Sequence, residues 1–464
     1  MIARDKAKSF SAMQIRARYD AALAGADNRK HWANADSLSP TASNAASVRS
    51  ILRTRSRYEV ANNSYARGIV LTIANDTIGT GPKLQLMTSD QTLNREIETA
   101  FADWAREINF AEKLRTMRMA RVQDGEAFAV ILRNPGVRHP VQIDLRMIEA
   151  EQVTAPIFNA SDDDGIVFDE WGNPSEYYVL DEHPGGNYAS SAYTVFPADS
   201  VIHYFRPDRP GQTRGIPEIT PALPLFAQLR RFTLAVISAA EAAANFSGIL
   251  YTDSPANGEA SVGDAFDEIE LTRNMLVTMP DGWKMGQIKP EQPVSTYAEF
   301  KREILNEIAR CMNMVYAVAS GDSSDYSYAG GRLDFQTYGR SVRVDQVCLE
   351  NNVLSKILRA WFSEYYAVGN YELKLPEYQW FWDEREHVDP QKEASAQEKL
   401  LANNTTTLAR ECAKRGLDWQ DVLRQRAVEL EMMRSLGISQ SPAVSAVNPE
   451  PIADENGDTI YEEK

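Results

Sequence analysis

At 464 residues the chain can bury a large core and hold two or more domains, and 43% hydrophobic with 25% charged residues excludes wholesale disorder. Cys311, Cys348 and Cys412 form no CxxC pair, which excludes a disulfide framework or a zinc knuckle and suits a reducing cytoplasm. The net charge of −16 is uneven: residues 1–60 hold eleven Lys/Arg against five Asp/Glu, about +6, leaving about −22 for the remainder. A body that acidic argues against simple tight binding to nucleic acid, but not against DNA passing without sticking.

Met1–Asp20 carries charge throughout and lacks an apolar core, so no signal peptide is expected. The most apolar stretch, Ala222 to Leu250, is broken by Arg230, Arg231 and Glu241 and falls short of a bilayer span. A soluble chain, intracellular when made, is expected.

Residues 1–50, rich in Ala, Ser, Asn and Arg, read as a partly ordered arm with a short helix near Ser11–Leu23. From Val48 to Ile78 the pattern turns helical, with Val60, Tyr65, Ile69 and Ile73 at helical spacing, and Gly79-Thr80-Gly81-Pro82 stops it. A strand at Lys83–Met87 follows, then helices at about Thr92–Glu107, with Ser89 and Asp90 as candidate caps, and about Ala111–Asp124. Strand patterns cover Ala127–Arg133, Val141–Leu145, Gly165–Phe168, Glu176–Leu180 and Ser200–Tyr204. Turn clusters at Asp162–Gly165 and His183–Gly186 separate them, giving an α+β body.

Pro217, Pro221 and Pro224 lead into an Ala-rich helix from about Leu225 to Phe246, a rod of roughly 33 Å. Its small residues fit a crowded multi-helix contact or an ordinary buried core helix. A strand-rich insert, 249–293, separates it from a second helix at about Thr296–Met314. A polar loop follows, Asp322-Ser323-Ser324-Asp325-Tyr326-Ser327-Tyr328, closed by Gly330-Gly331. Such a loop is either functional or merely flexible, and composition alone favours a plain surface loop. A long helix is expected from Arg332 to about Tyr366, an extended aromatic segment at Leu375–Trp382, and two charged helices over Asp389–Gly437 interrupted at Gly416-Leu417-Asp418. Ser439–Lys464, rich in Pro and acid, reads as a disordered tail.

Signatures of catalysis are missing from the sequence. There is no GxxxxGK[ST] loop, GxSxG elbow or HExxH helix, and Gly79-x-Gly81 meeting Pro82 suits a turn better than a dinucleotide fingerprint. The five histidines are far apart with no metal-ligand spacing. Asp162-Asp163-Asp164 fits a solvated turn better than a cation site, since nothing adjacent supplies other ligands. Asp383, Glu384, Glu386 and Asp389 around His387 read as a charged linker rather than an acid–base site. No catalytic residue, cofactor site or metal site is assigned.

Three stretches, in register, resemble the lambda-type portal family of tailed bacteriophages. The first is Asn62-Asn63-Ser64-Tyr65-Ala66-Arg67-Gly68 with Ile78-Gly79-Thr80-Gly81-Pro82, after Arg53, Arg55 and Arg57. The second, the most specific, runs from His203-Tyr204-Phe205-Arg206-Pro207-Asp208 through Arg209, Pro210, Gly211, Gln212, Thr213, Arg214, Gly215, Ile216 and Pro217 into the Ala-rich helix. The third is Gly321-Asp322 with Tyr326-Ser327-Tyr328-Ala329 and Arg332, where Tyr328 and Gly330-Gly331 depart from the usual pattern.

The resemblance implies a portal-type subunit: an arm (1–50), an α+β wing (51–221 and 333–388), a two-helix stem (222–248 and 294–314), a small strand-rich clip (249–293), a tunnel-loop region (315–332), a helical crown (389–437) and an acidic tail (438–464). It further implies a homo-oligomeric ring of about twelve subunits at one capsid vertex, assembled in the host bacterial cytoplasm. Its implied partners are double-stranded DNA in the channel, the terminase large subunit, the head–tail connector and the major capsid or scaffolding protein, with no membrane. Loop residues Asp322 to Tyr328 would face DNA, and Lys301, Arg302 and Arg310 would offer transient phosphate contacts unless they simply form a solvated helix face. Two other readings stay open: a head–tail adaptor or scaffold without tunnel function, and a metal-dependent phosphoester hydrolase needing the acidic clusters near 162 and 387 to converge.

Overall fold

The computed structural model describes residues 29–155, 164–186, 192–245, 249–252, 283–286, 294–324, 327–369, 375–383, 390–414, 417 and 419–438. The expected helix at Ser11–Leu23, the acidic tail from Ser439 and most of the insert lie outside them. So do Asp162, Asp163, Asp325, Tyr326 and the cluster around His387 apart from Asp383, which accepts from the Thr80 N–H at 2.6 Å.

The described chain opens with a single turn, α1 (Pro40–Ser43), capped by Ser39. Next come α2 (Ala46–Asn62) and α3 (Ser64–Ile78). The single helical pattern expected here is two helices, because Asn63 adopts extended backbone (φ −120°, ψ 117°) and caps α3 with its side chain. The packed body begins earlier than an arm ending at 50 would allow, since Asn44 and Arg49 are buried. Both carry polar groups that find partners inside the fold, as described below.

Strand β1 (Lys83–Leu86) precedes α4 (Gln91–Glu107) and α5 (Phe110–Asp124). Asp90 caps α4, its Oδ1 accepting from the backbone N–H of Thr92 and Leu93 at 3.0 Å. Six strands follow: β2 (Glu126–Arg133), β3 (Ile143–Ile148), β4 (Ile166–Phe168), β5 (Pro174–Leu180), β6 (Tyr193–Pro197) and β7 (Val201–Phe205). The sequence pattern misses β6 and places β3 two residues early.

Strand β2 sits between β3 and β7, antiparallel to both, while β4, β5 and β6 form a second antiparallel sheet. Because side chains alternate along a strand, β2 serves two cores. Ala127 and Ala129 face a cluster built on Trp104, Trp361 and Phe101 from the helices, and Phe128 and Val130 face Ile166, Tyr177 and Val179 of the second sheet. The result is three layers: helices, sheet and sheet.

Helix α6 (Leu223–Asn245) leaves this body and α7 (Val294–Cys311) returns to it. They pair through Phe232, which stacks on Tyr297 and packs against Phe300, and through a 3.2 Å hydroxyl contact between Thr233 and Tyr297. Between them lies an antiparallel pair, β8 (Ile249–Thr252) and β9 (Trp283–Gly286). A third cluster joins α3, α6 and α7 through Ile69, Phe226 and Ile308.

After α8 (Tyr316–Ser320) comes α9 (Tyr328–Leu349), a π-helical turn (Glu350–Leu354) and α10 (Ser355–Gly369). The expected aromatic segment yields β10 (Tyr378–Phe381), antiparallel to β1. The last region holds three helices rather than two: α11 (Pro390–Ala402), α12 (Leu408–Lys414) and α13 (Trp419–Ser435). Asn404, in the left-handed region (φ 55°), marks the break between the first two. No helix among the described residues is long and apolar enough to cross a membrane.

Candidate functional site

Two residues of the stretch 209–217, Arg214 and Gly215, meet on one carboxylate. Glu126, the first residue of β2, is buried, and a lone buried carboxylate would be strongly penalised. Arg214 approaches it with Nε 3.0 Å from both oxygens and Nη2 2.7 Å from Oε1. Arg53 pairs with Oε1, His203 Nε2 lies 3.0 Å from Oε2, and the Gly215 N–H donates to Oε2 at 3.0 Å. Desolvation opposes the charge, but Arg214, His203 and Arg53 outweigh it and hold the carboxyl well below its usual range. Burial pushes His203 down, toward the neutral form that donates one proton to Glu126.

Arg214 uses its remaining donors on carbonyls of Val153 (3.1 Å), Asp164 (2.6 Å) and Ala150 (3.1 Å). It therefore ties the loops before β4 to the start of β2. Gln212 shapes the approach, accepting from the Asp208 and Arg209 N–H groups and donating to the Arg214 carbonyl at 2.8 Å. Asn44 donates to that same carbonyl, and Arg209 reaches Ser43 Oγ and the Leu38 carbonyl. Gly215 crosses Gly125 so closely that a Cβ there would sit 2.1 Å from the Gly125 carbonyl oxygen. Gly211 holds φ +79°, while Pro210 and Pro217 frame the motif. The motif is a structural clasp.

A second knot is built on Glu218, the residue after the motif. Arg118 and Arg121 of α5 grip Glu218, with Arg118 Nη1 at 3.1 Å and Arg121 Nε at 2.8 Å, and both also reach Asp345 of α9. Burial alone would raise Glu218, but Arg118 and Arg121 bring it down to about 2. Together the knots bind α2, α5, β2, α9 and the entrance to α6 into one unit.

Glu149, Glu151 and His183 bring ligand-type atoms within 4.8 Å of one another. Arg57 Nη2 already lies 3.3 Å from Glu149 and 3.0 Å from Glu151, and His183 Nδ1 accepts from the Gly185 N–H. His183 Nε2 lies 3.1 Å from Glu149, and Arg57 holds both carboxylates, so the group is built as an arginine salt bridge rather than a metal centre. Asp164 is likewise committed, paired with Arg49 and Arg214.

The loop between α8 and α9 is shorter than the sequence suggests. Helix α9 starts at Tyr328, because Ser327 Oγ accepts from the Gly330 N–H at 3.2 Å and draws Gly330 and Gly331 into the first turn. Tyr328 is therefore a helical residue, not a loop residue. Gly321 terminates α8 in the left-handed region (φ 70°). Asp322 accepts from the Ser324 N–H (3.0 Å) and hydroxyl (2.7 Å), which lowers its carboxyl, with Arg302 adding a smaller contribution. Asp322, Ser323, Ser324 and Ser327 are exposed.

Of the three stem cations, Lys301 sits over the Tyr65 ring at 5.0 Å and Arg302 over Tyr316 at 5.3 Å, so both help to dock α7 on its neighbours. Arg310 is exposed and donates to Asn313 Oδ1 at 3.2 Å. Arg302 and Asp322 thus share the side of the molecule where α7 meets the loop. The residues that sequence reasoning missed are Arg118, Arg121, Glu126 and Glu218, while Arg53 and Arg57 were noted only as an arginine-rich lead-in without a partner. Only the density of arginine in two helices hinted at them.

A family model described as phage portal protein, lambda family, matches residues 26–346, a span that includes both knots and the loop into α9. The chain belongs to that family. It is 24% identical over 435 residues to the probable portal protein of Halomonas phage phiHAP-1, covering 83% of this chain and 81% of that one. The portal protein B of Escherichia phage lambda is 21% identical over 456 residues, covering 83% and 84%. Among solved structures, the neck of an empty gene transfer agent particle matches at 16% identity with a TM-score of 0.49, covering 77% of this chain and 91% of that one. The family assigns the role of a phage portal, the channel component of the particle, and its description names no reaction.

Proposed function

We propose that the chain assembles into a closed ring of about twelve copies, head to tail, at one vertex of the capsid. The observation that carries this reading is apolar surface left bare on the long helices of a single chain. Leu234 and Ile237 on α6 are 55% and 48% exposed, and Val344 on α9 is 69% exposed. Each such side chain gains about 1.5–3 kcal/mol on full burial, and repetition of one contact around a ring buries them all.

In this reading the α+β layers are the wing, α6 and α7 the stem, the β8–β9 insert the clip and α11–α13 the crown. The clip receives the terminase motor during packaging and the head–tail connector afterwards. The segment 321–327 lines the tunnel and hinders backsliding of DNA by steric and weak polar contact. A net charge of −16 per subunit keeps the lining from gripping a duplex that carries about one charge per 1.7 Å.

Native mass spectrometry with end-on negative-stain images tests the ring. A closed ring with a central hole supports it, and a stable monomer at micromolar concentration refutes it. Replacing Asp322–Tyr328 with a Gly-Ser linker should leave the ring intact and reduce retained genome. Normal retention would remove the tunnel role from this loop.

A further inference from the structure

Residues 147–205 contain eleven Asp/Glu and not one Lys or Arg. This segment holds the β4–β5–β6 sheet, whose inner face is packed through Tyr177 and Val179. Its outer face is apolar yet open: Tyr178 and Val195 are register partners, Tyr193 lies against Tyr178 at 5.7 Å, and Tyr193 and Val195 are exposed. At the β4–β5 hairpin, Trp171 is 81% exposed on a turn that is held rigid. Asp169 accepts from the Trp171 N–H (2.9 Å) and the Asn173 N–H (2.7 Å), and Gly172 supplies φ +81°. A preorganised tryptophan at the hairpin end of the sheet and open tyrosines toward its other end, where Tyr193 pairs with Leu180, with Glu170, Glu176 and Asp181 spaced along the same segment, make a surface suited to an extended apolar segment with positive charge.

The chain already satisfies part of this acidic segment with its own N-terminal arginines. Arg49 pairs with Asp164, and Arg57 with Glu149 and Glu151. Upstream, residues 1–28 carry five Lys/Arg (Arg4, Lys6, Lys8, Arg16, Arg18) against three Asp, interleaved with Phe10, Met13, Ile15, Tyr19 and Leu23. The chain reaches α1 next to Asp164, two residues before β4: Pro40, Thr41 and Asp164 line one small cavity. An extended chain spans about 3.3 Å per residue, so 28 residues reach well beyond a seven-residue strand.

We infer that residues 1–28 dock, within their own subunit, along the outer face of the β4–β5–β6 sheet, from Trp171 at the hairpin end to Tyr193 at the other. This extends the contact that Arg49 and Arg57 begin. The inference concerns one subunit and stands apart from the ring reading. The test places the photo-crosslinker p-benzoylphenylalanine at Tyr193 in the full chain, in a mixture of ¹⁴N- and ¹⁵N-labelled protein. Crosslinks to residues 1–28 within one isotope label are expected, reduced about tenfold by the pair Trp171→Ala and Val195→Ser, which alters exposed residues only. Crosslinks that join the two labels, or that never reach residues 1–28, overturn the proposal. Ring formation is scored in the same samples, so loss of docking with an intact ring condemns this inference alone, and loss of the ring condemns the portal assembly alone.

Discussion

Replacing Arg214 by Met would test whether the clasp at Glu126 holds the body together. The substitution keeps an unbranched apolar stem but removes the fork that contacts Glu126 and three carbonyls. Removing one partner from a buried ion pair costs about 3–5 kcal/mol. Stranding carbonyls that bound the same guanidinium adds about 1 kcal/mol apiece where water cannot reach them. Arg53, His203 and the Gly215 N–H still serve Glu126, which places the ion-pair loss near the low end, about 3 kcal/mol, and the total at about 5–6 kcal/mol with the three carbonyls. Whole domains are stable by only about 5–15 kcal/mol, so much of the margin would go. With a urea slope of about 3 kcal/mol/M, the unfolding midpoint followed by tryptophan fluorescence should fall by roughly 1.5–2 M. Arg106→Met, which breaks an exposed pair with Asp103, is the control and should shift the midpoint by less than about 0.3 M. A wild-type midpoint for Arg214→Met would refute the claim that this knot carries stability.

Glu218, held at about 2 by Arg118 and Arg121, is depressed relative to its unfolded value, so its contribution is complete above about pH 4.5 and disappears as pH falls toward 2. Thermal melts over that window should show a steeper acid loss in wild type than in Glu218→Gln; parallel curves would contradict the assignment. Gly215→Ala drives a methyl group into the Gly125 carbonyl and should cost about 1–3 kcal/mol, read as a lower melting temperature. Asn63→Ala removes the α3 cap and a 3.3 Å donation to the Phe226 carbonyl, with an expected loss of about 1–2 kcal/mol in the same assay. Val344→Asp should leave circular dichroism unchanged while abolishing the ring in native mass spectrometry, and an intact ring would move the interface away from α9.

Local signals were read well from sequence, and distant ones hardly at all. Asp90 at a helix start, the Pro-rich entry to α6 and the strand pattern of β2 are each decided by neighbours a few positions away, and each matches the structure. The split at Asn63 was missed because neither Gly nor Pro marks it, and β6 because Pro197 closes a short run whose side chains face solvent. The 209–217 motif was found as a resemblance, while its physical meaning stayed hidden. Arg214 meets Glu126 across 88 positions and Arg118 meets Asp345 across 227, and no periodicity connects residues so far apart. The loop before α9 was drawn too long because two glycines look like a breaker until Ser327 is known to cap them.

The π-helical turn at Glu350–Leu354 makes the long helix a two-phase rod. A turn that closes over one more residue than an α-turn advances the helix by about 100° relative to an unbroken one. Val344 can therefore face outward before the turn, while Trp361 and Phe362 face the core after it. Glu350 steadies the slip, its Oε1 accepting from Trp382 Nε1 at 2.7 Å and its carbonyl from Ser355 Oγ at 2.7 Å. A one-residue deletion here would be a change of gearing: with α9 fixed by its contacts, the tryptophan face of α10 would rotate out of the core. With α10 fixed instead, the outward stripe of α9 would turn away from whatever it meets in the assembly.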